Sequence, residues 1–256
     1  MIKLARELWQ SSRLLVPTTR HRFQLILLVL IAAAIPVTEL LVAKLFTELV
    51  INGANKEFGQ IILSMLLFGA LFVATRIANY AQKTYRVGFF DRAFGADTRE
   101  KSAQKESWEW AMALELVNVL SFLVQAFVIT VFFFFLSPLL AGITLAVILI
   151  LIEVMGRIFM SQQLTQRGFV EKRRAKEVVT PAERLGSRIK SAEFATLLAS
   201  FFIVSLMVLL VVFSLQGIAS LSSTIVFFLG LRLLNTTFSS ISSGLMRFAR
   251  AKANSF

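Results

Sequence analysis

An almost unbroken apolar stretch covers residues 111–159 and constrains the fold more than any other feature of this sequence. A single helix of that length would measure about 70 Å, more than twice the ~30 Å hydrocarbon core of a bilayer. The chain must therefore turn once. Pro138 is the expected place, because proline begins helices and disfavours the α conformation in the residue before it. The sequence predicts two consecutive spans, about 111–136 and 137–159.

Four further apolar segments are long enough to cross a membrane, which gives six predicted spans in all. They cover about 23–50, 58–80, 194–215 and 218–245. Only 16% of the 256 residues are charged and the mean hydropathy is +0.75. The chain therefore has too little polar surface to cover a water-soluble globule. We predict an all-α polytopic membrane protein that forms one transmembrane domain over residues 1–256.

Residues 1–20 predict a short amphipathic helix ahead of the first span. Leu4, Leu8 and Trp9 recur at helical spacing, and the cationic residues lie on other faces. Such a helix suits the cytoplasmic membrane surface, where Trp9 would act as an interfacial anchor. The first span continues to about Val50, which is too long for the apolar region of a signal peptide, so we expect it to be retained.

Positive charge is distributed unevenly among the predicted loops. Of the 27 Lys and Arg residues, 23 fall in the four segments that share a side with the N-terminus, and the outer loops hold only Lys56. The positive-inside rule makes that side the cytoplasm, so both termini are predicted to be cytoplasmic. Membrane orientation and contact with anionic lipids therefore explain the formal net charge of +12. We expect no nucleic-acid partner.

The sequence contains no catalytic or nucleotide-binding motif. It has no glycine-rich phosphate loop ending in Gly-Lys-Ser/Thr, and neither GxSxG nor HExxH occurs. Cysteine is absent, and the single His21 lies between Arg20 and Arg22, which makes it a poor metal ligand or general base. We expect no enzymatic activity, no metal and no cofactor on this chain.

The segment NTTFSSISSG, residues 235–244, carries an unusual density of polar groups for a membrane span. Hydroxyl groups at this density can line a wet cavity or allow helices to pack closely, and the sequence favours neither interpretation over the other. The candidate substrate-cavity residues are Asn235, Thr236, Ser239, Ser240 and Ser243.

Ionisable residues within the predicted spans form a second group of candidates. Lys44 and Glu48 are four residues apart, as are Glu153 and Arg157, so each pair can form an ion pair on one helix face. Glu39 is five residues from Lys44, which is a poorer match. Structural ion pairs are the simpler interpretation. Ion-coupled transport through Glu39 or Glu153 is a weaker alternative, because neither has a clear relay of acidic partners.

The overall pattern resembles the membrane domain of type-IV ABC exporters, the exporter or flippase-like family. The shared features are six spans, an N-terminal elbow helix, very short outer loops and two larger inner loops. FFLSPLLAGITLAVILIL is similar to the family's hairpin between the third and fourth spans. LGLRLLNTTFSSISSGLMRFARAKA is similar to its sixth span and the linker that follows.

The resemblance implies a homodimer, or a heterodimer with a similar six-span chain, and a substrate route between the two halves. Substrates of the family are amphipathic: lipids, lipid-linked sugars, peptides or drugs. ATP would enter only through a separate ATPase subunit, and by analogy we expect a location in a bacterial inner membrane. The basic residues of the inner loops would then dock a cytoplasmic partner, namely Arg92, Arg99, Lys101, Arg173, Arg174 and Arg184.

Both inner loops depart from the family pattern because they are short. Residues 81–110 and 160–193, each folded into two helical arms, would reach only about 20 Å beyond the membrane. VTPAERLG, residues 179–186, is predicted as a turn rather than a coupling helix. The alternative function is therefore a non-transporting structural or accessory membrane protein that reuses the exporter fold within a larger complex.

Overall fold

A computed structural model describes residues 2–15, 18–52, 57–95, 103–218 and 220–255. Within these ranges the chain forms seven α-helices, and α2 to α7 each contain a segment long and apolar enough to cross a membrane. The prediction of an all-α chain with six candidate spans is therefore confirmed. The helices are α1 Ile2–Leu15, α2 Thr19–Asn52, α3 Phe58–Gly95, α4 Ala103–Leu136, α5 Pro138–Arg174, α6 Pro181–Leu215 and α7 Leu221–Ser255.

The four helices on either side of the predicted inner loops extend well past their predicted spans at the end predicted to be cytoplasmic. α3 continues to Gly95 and α4 begins at Ala103, while α5 continues to Arg174 and α6 begins at Pro181. α5 alone has 37 residues, which corresponds to about 55 Å. Most of each predicted inner loop is therefore a helical continuation of the spans on either side of it.

Two of the connections between helices turn where the sequence predicted. Ser137 is in an extended conformation, with φ −158° and ψ 105°, and Pro138 begins α5. Gly217 ends α6 in the left-handed region at φ +72°. There the amides of Gly217 and Ile218 donate to the carbonyls of Ser214 and Phe213, both at 3.1 Å, in the usual pattern for a helix that ends on glycine.

The α5–α6 connection differs from its prediction. Lys176 lies just after α5 in the left-handed region, at φ +60°. As at Gly217, two amides donate back to carbonyls of the last helical turn: Lys176 to Arg173 at 3.1 Å and Glu177 to Lys172 at 2.9 Å. α6 then begins at Pro181, because Thr180 and Glu183 form a reciprocal capping box. The prediction of a turn over residues 179–186 was thus wrong for all but its first two residues. Proline is favoured in the first helical position, and the capping box outweighs the weak helix propensity of Gly186.

The arms of α5 and α6 that extend beyond the predicted spans, residues 160–174 and 181–193, are joined by polar contacts. The Gln162 side chain donates from Nε2 to Ser187 Oγ and accepts at Oε1 from Ser191 Oγ, both at 3.1 Å. Gln162 is buried between the two helices, at a position where a core residue would usually be apolar. The arms therefore pack as a hairpin without an extension of the apolar core.

α7 is the central helix and packs against α2, α4, α5 and α6. Its apolar residues Leu231, Leu234 and Phe238 are fully buried at helical spacing. By contrast, α3 packs chiefly against α2, where the hydroxyls of Thr38 and Thr75 lie 2.9 Å apart. Most of the remaining α3 surface is exposed.

α1 is amphipathic, as predicted, although it ends at Leu15 rather than near residue 20. Leu4 and Leu8 are buried, and Leu4 lies over Gly156 of α5. Glu7 forms an ion pair with Lys252 near the end of α7. These contacts attach α1 to the helical bundle. Its position at the membrane surface stays a prediction.

Gly230 of α7 allows the closest approach between α7 and α4. Phe133 of α4 stacks on Phe227 with ring centroids 3.9 Å apart, and a Cβ atom on Gly230 would lie 2.4 Å from the Phe133 ring. Both rings are buried, so neither can move away without disturbing the core.

We therefore expect Gly230→Ala to lower the free energy of unfolding by about 1–3 kcal/mol, the usual cost of overpacking a core. The matched control is Gly69→Ala in α3, because nothing lies within 4 Å of a Cβ atom there. That variant should unfold within about 1 kcal/mol of wild type. Thermal unfolding followed by tryptophan fluorescence in detergent measures both, and equal midpoints for the two variants would contradict the packing argument.

Candidate functional site

A polar groove lies among α2, α3, α4 and α7 and has a volume of about 340 Å³. Its apolar wall includes Ile35, Pro36, Phe122 and Leu233. The rest of the lining is polar and comes from all four helices. These polar side chains are Glu39, Asn79, Gln82, Lys83, Asn118, Ser121, Gln125, Thr236, Thr237 and Ser240.

Gln125 and Thr237 connect α4 to α7 at the wall of the polar groove. Gln125 Nε2 donates to Thr237 Oγ1 at 2.9 Å, and Thr237 Oγ1 donates in turn to the carbonyl of Leu233 at 2.8 Å. Both side chains are buried, and Gln125 lies near the middle of the α4 span. The groove therefore reaches the depth at which an unsatisfied polar group is most costly.

Toward the predicted cytoplasmic end, some polar atoms beside the groove lack a partner. Arg86 Nη1 donates to Asn118 Oδ1 at 2.5 Å, which joins α3 to α4. The Nε atom of Arg86 and the hydroxyl of Ser121 are buried without a hydrogen-bond partner among the described residues. A buried donor without an acceptor lowers the stability of the fold unless water or a ligand accepts its hydrogen bond. This end of the groove is therefore suited to a polar ligand.

The groove also carries one charge of each sign. Glu39 of α2 and Lys83 of α3 are exposed side chains in its lining, and neither is paired with another charged side chain of the described residues. Ionisable groups in a span usually face a cavity and mark a pathway or binding site. Together these two groups offer a carboxylate and an ammonium to a zwitterionic or polar molecule.

The five candidate cavity residues divide between cavity lining and helix packing. Thr236 and Ser240 line the groove. Asn235 faces α6, where its Oδ1 accepts from Ser200 Oγ at 2.9 Å, and Ser243 Oγ donates to the carbonyl of Ser240 at 3.2 Å. Ser239 and Ser243 are partly buried and lie outside the groove lining. Residues 235–244 therefore line the groove on one face of α7 and take part in helix packing on another.

The other predicted charges are mostly local pairs. Lys44 and Glu48 lie 3.8 Å apart, and Arg157 Nε lies 2.9 Å from Glu153 Oε1 on the exposed surface of α5. Glu39 alone among the predicted acids lines the groove.

Three of the six predicted docking residues lie within the part of the chain that the structure describes. Arg173 and Arg174 are exposed at the end of α5, and Arg184 is partly buried in α6. Arg99, Lys101 and the side chain of Arg92 lie outside the described residues.

Seven polar groove residues were not among the predicted site residues: Asn79, Gln82, Lys83, Asn118, Ser121, Gln125 and Thr237. They are polar side chains within or just beyond the predicted apolar spans, which is the available sequence signal. Alone, no such residue indicates which neighbour it meets. Only the packing of four helices brings them to one groove.

Within the described ranges, no group of three His, Asp or Glu side chains could hold a metal ion. Comparison of the sequence with known protein families and with curated proteins found no match.

Thiol accessibility can test whether the groove is wet, because the natural chain has no cysteine. We expect Thr236→Cys to react with a charged, membrane-impermeant thiosulfonate at least about tenfold faster than Ser205→Cys, since only a hydrated thiol ionises and reacts. Ser205 is a matched control, because it is exposed at the middle of α6 and faces away from the groove. Equal rates, measured by mass spectrometry of the labelled protein in membranes, would mean that the groove is not open to water.

Proposed function

We propose that this chain is the membrane-spanning subunit of an ABC-exporter-like transporter. It moves an amphipathic molecule such as a lipid, a lipid-linked sugar or a peptide, and a separate ATPase subunit supplies the energy. The observation that carries the proposal is the polar groove, which places ten polar side chains within the membrane-spanning helices. A chain that served only as a structural element would have little use for so many costly groups at that depth.

The shape and chemistry of the groove favour an amphipathic substrate. Its volume of about 340 Å³ is at the small end of ligand pockets, so it would hold a polar headgroup and not a whole lipid. Glu39 and Lys83 would pair with the charges of that headgroup. The sparsely packed α3 borders the groove, and apolar chains could remain in the bilayer beside it.

Coupling to an ATPase would use the cytoplasmic arms of α5 and α6. The connection between them, residues 175–180, is short, and its flanks carry Arg173, Arg174 and Arg184. A partner with an acidic docking surface would meet this end. The resemblance to ABC exporters further implies a dimer, in which two such hairpins would present a paired surface.

One observation favours a second candidate function, a non-transporting scaffold within a larger membrane complex. Residues 175–180 contain no helix between the two arms, so this hairpin lacks the transverse element that couples exporters to their ATPase. A scaffold would keep the helical bundle and use the outer surfaces of α3 and α6 for partners.

Native mass spectrometry of the protein extracted from its own membrane in mild detergent separates the two functions. Co-purification of the chain with a soluble ATPase in equal numbers supports the transporter. A dimer without an ATPase, or an assembly with other membrane proteins, favours the scaffold and contradicts the proposal.

Filling the groove tests its role once the ATPase-containing complex is in hand. We expect Thr236→Trp to reduce ATP-dependent movement of a fluorescent short-chain phospholipid in proteoliposomes by at least about tenfold, because an indole would occupy much of the groove. Ser205→Trp on the exposed face of α6 should leave transport within about twofold of wild type. Both variants must still bind the ATPase, and unchanged transport by Thr236→Trp would remove the groove from the substrate path.

A further inference from the structure

A second pocket lies between the cytoplasmic ends of α5, α6 and α7, away from the polar groove, and has a volume of about 110 Å³. Four arginines line it: Arg173 of α5, Arg184 and Arg188 of α6, and Arg250 of α7. No acidic side chain is part of its lining. We call this site the basic pocket.

The positive charge of the basic pocket is poorly compensated within the chain. Within the described part of the chain, the charges of Arg250 and Arg247 repel that of Arg188, and the charge of Glu115 attracts it. One oxygen of Glu115 is already engaged, because Oε1 accepts from Arg247 Nε at 2.6 Å, and its Oε2 is buried without a hydrogen-bond partner among the described residues. Arg250 also lies over the ring of Trp108, 5.2 Å from its centroid, which positions its guanidinium but contributes no negative charge.

The basic pocket also holds donors that lack an acceptor. Gln166 is only 4% exposed, and its Nε2 is buried without a hydrogen-bond partner among the described residues. The Nε atom of Arg184 is buried in the same unsatisfied state. Both atoms are N–H donors, and a buried donor without an acceptor is destabilising. Two such donors beside four like charges indicate that the pocket is built for an anion with several acceptor oxygens.

We propose that the basic pocket binds a phosphate group, held by Arg184, Arg188 and Gln166 and closed by Arg173 and Arg250. A guanidinium donates two parallel hydrogen bonds to phosphate oxygens, which is why arginine clusters recognise phosphate better than lysine clusters do. A phosphomonoester carries close to two negative charges at neutral pH, which matches this surplus of cations better than a carboxylate or a phosphodiester does. The pocket volume of about 110 Å³ suits one phosphate group.

The depth of the basic pocket allows the phosphate to come from a lipid or from solution. Trp108 and Trp110 near the start of α4 are typical of the membrane–water interface, and Arg250 lies against the first of them. A phosphomonoester headgroup of the inner leaflet would therefore reach the pocket, and so would a soluble phosphate ester. This inference does not rest on the proposed transport function, since a scaffold could hold the same ligand.

The test uses the purified full chain in nanodiscs of phosphatidylcholine, with or without a minor fraction of phosphatidic acid. Native mass spectrometry counts the phosphatidic acid that stays bound, and calorimetry measures inorganic phosphate binding in phosphatidylcholine alone. Arg184→Gln with Arg188→Gln should weaken binding at least about tenfold, because it removes two charge-assisted donors. Arg167→Gln with Lys190→Gln is the matched control. It removes the same charge from the adjacent arms of α5 and α6 outside the basic pocket, and binding should change by no more than about twofold.

A neutral substitution separates a built site from general surface charge. Gln166→Leu should weaken phosphate binding and also raise the unfolding temperature of the ligand-free protein, because it removes an unsatisfied donor. If the double variant of α6 fails to fold, Arg173→Gln at the exposed end of α5 replaces it, with the same direction of change expected.

The two probes distinguish the sources of the phosphate. Retention of phosphatidic acid that inorganic phosphate does not displace assigns the basic pocket to a lipid headgroup, and calorimetric binding of inorganic phosphate assigns it to a soluble ligand. Both results support a phosphate site. Equal losses in the two double variants, or no binding of either probe by the wild-type chain, would overturn it.

Discussion

The structure depends on one constraint: in hydrocarbon, every backbone N–H and C=O must find its partner within the protein. Continuous helices satisfy that requirement, because their backbone groups bond to one another. The packing of one helix against the next then depends on the side chains alone. Apolar side chains gain little by leaving lipid for a protein interior, so close packing and polar contacts carry much of the association. The stacked rings of Phe133 and Phe227 over Gly230 and the Gln125–Thr237 hydrogen bond are the two kinds of contact that this constraint favours.

α7 combines both kinds of contact and divides them between its faces. One face packs against α6, through Asn235 with Ser200 and through Ser242, whose hydroxyl bonds the carbonyl of Ala192 at 2.8 Å. The other face turns Thr236 and Ser240 to the polar groove. Farther along, the same helix contributes Arg250 to the basic pocket. A single helix thus connects the polar groove to the arms of α5 and α6, and coupling between the two regions would need such a physical link.

The helical architecture could be predicted almost entirely from the sequence, since apolar length and Pro138 or Gly217 specify where spans begin and turn. The start of α6 was predicted incorrectly, because Pro181 and Gly186 suggest a turn whereas the capping box of Thr180 and Glu183 starts a helix. Of the ten polar residues that line the groove, three were among the predicted site residues: Glu39, Thr236 and Ser240. A local cluster such as residues 235–244 is visible in one helix, but scattered residues on separate helices acquire a shared role only through the angles at which those helices pack.

α3 supplies three polar side chains to the groove, Asn79, Gln82 and Lys83, yet it packs chiefly against α2. In water, separating a helix from its bundle exposes apolar surface. In a bilayer, lipid chains replace the lost apolar contacts at little cost. The groove is thus bordered on one side by a helix whose displacement would break polar contacts such as Thr38–Thr75 and Arg86–Asn118, while lipid would replace its apolar contacts. The volume of the groove would then depend on the surrounding membrane as well as on the protein. Bilayer thickness and lateral pressure would change that volume.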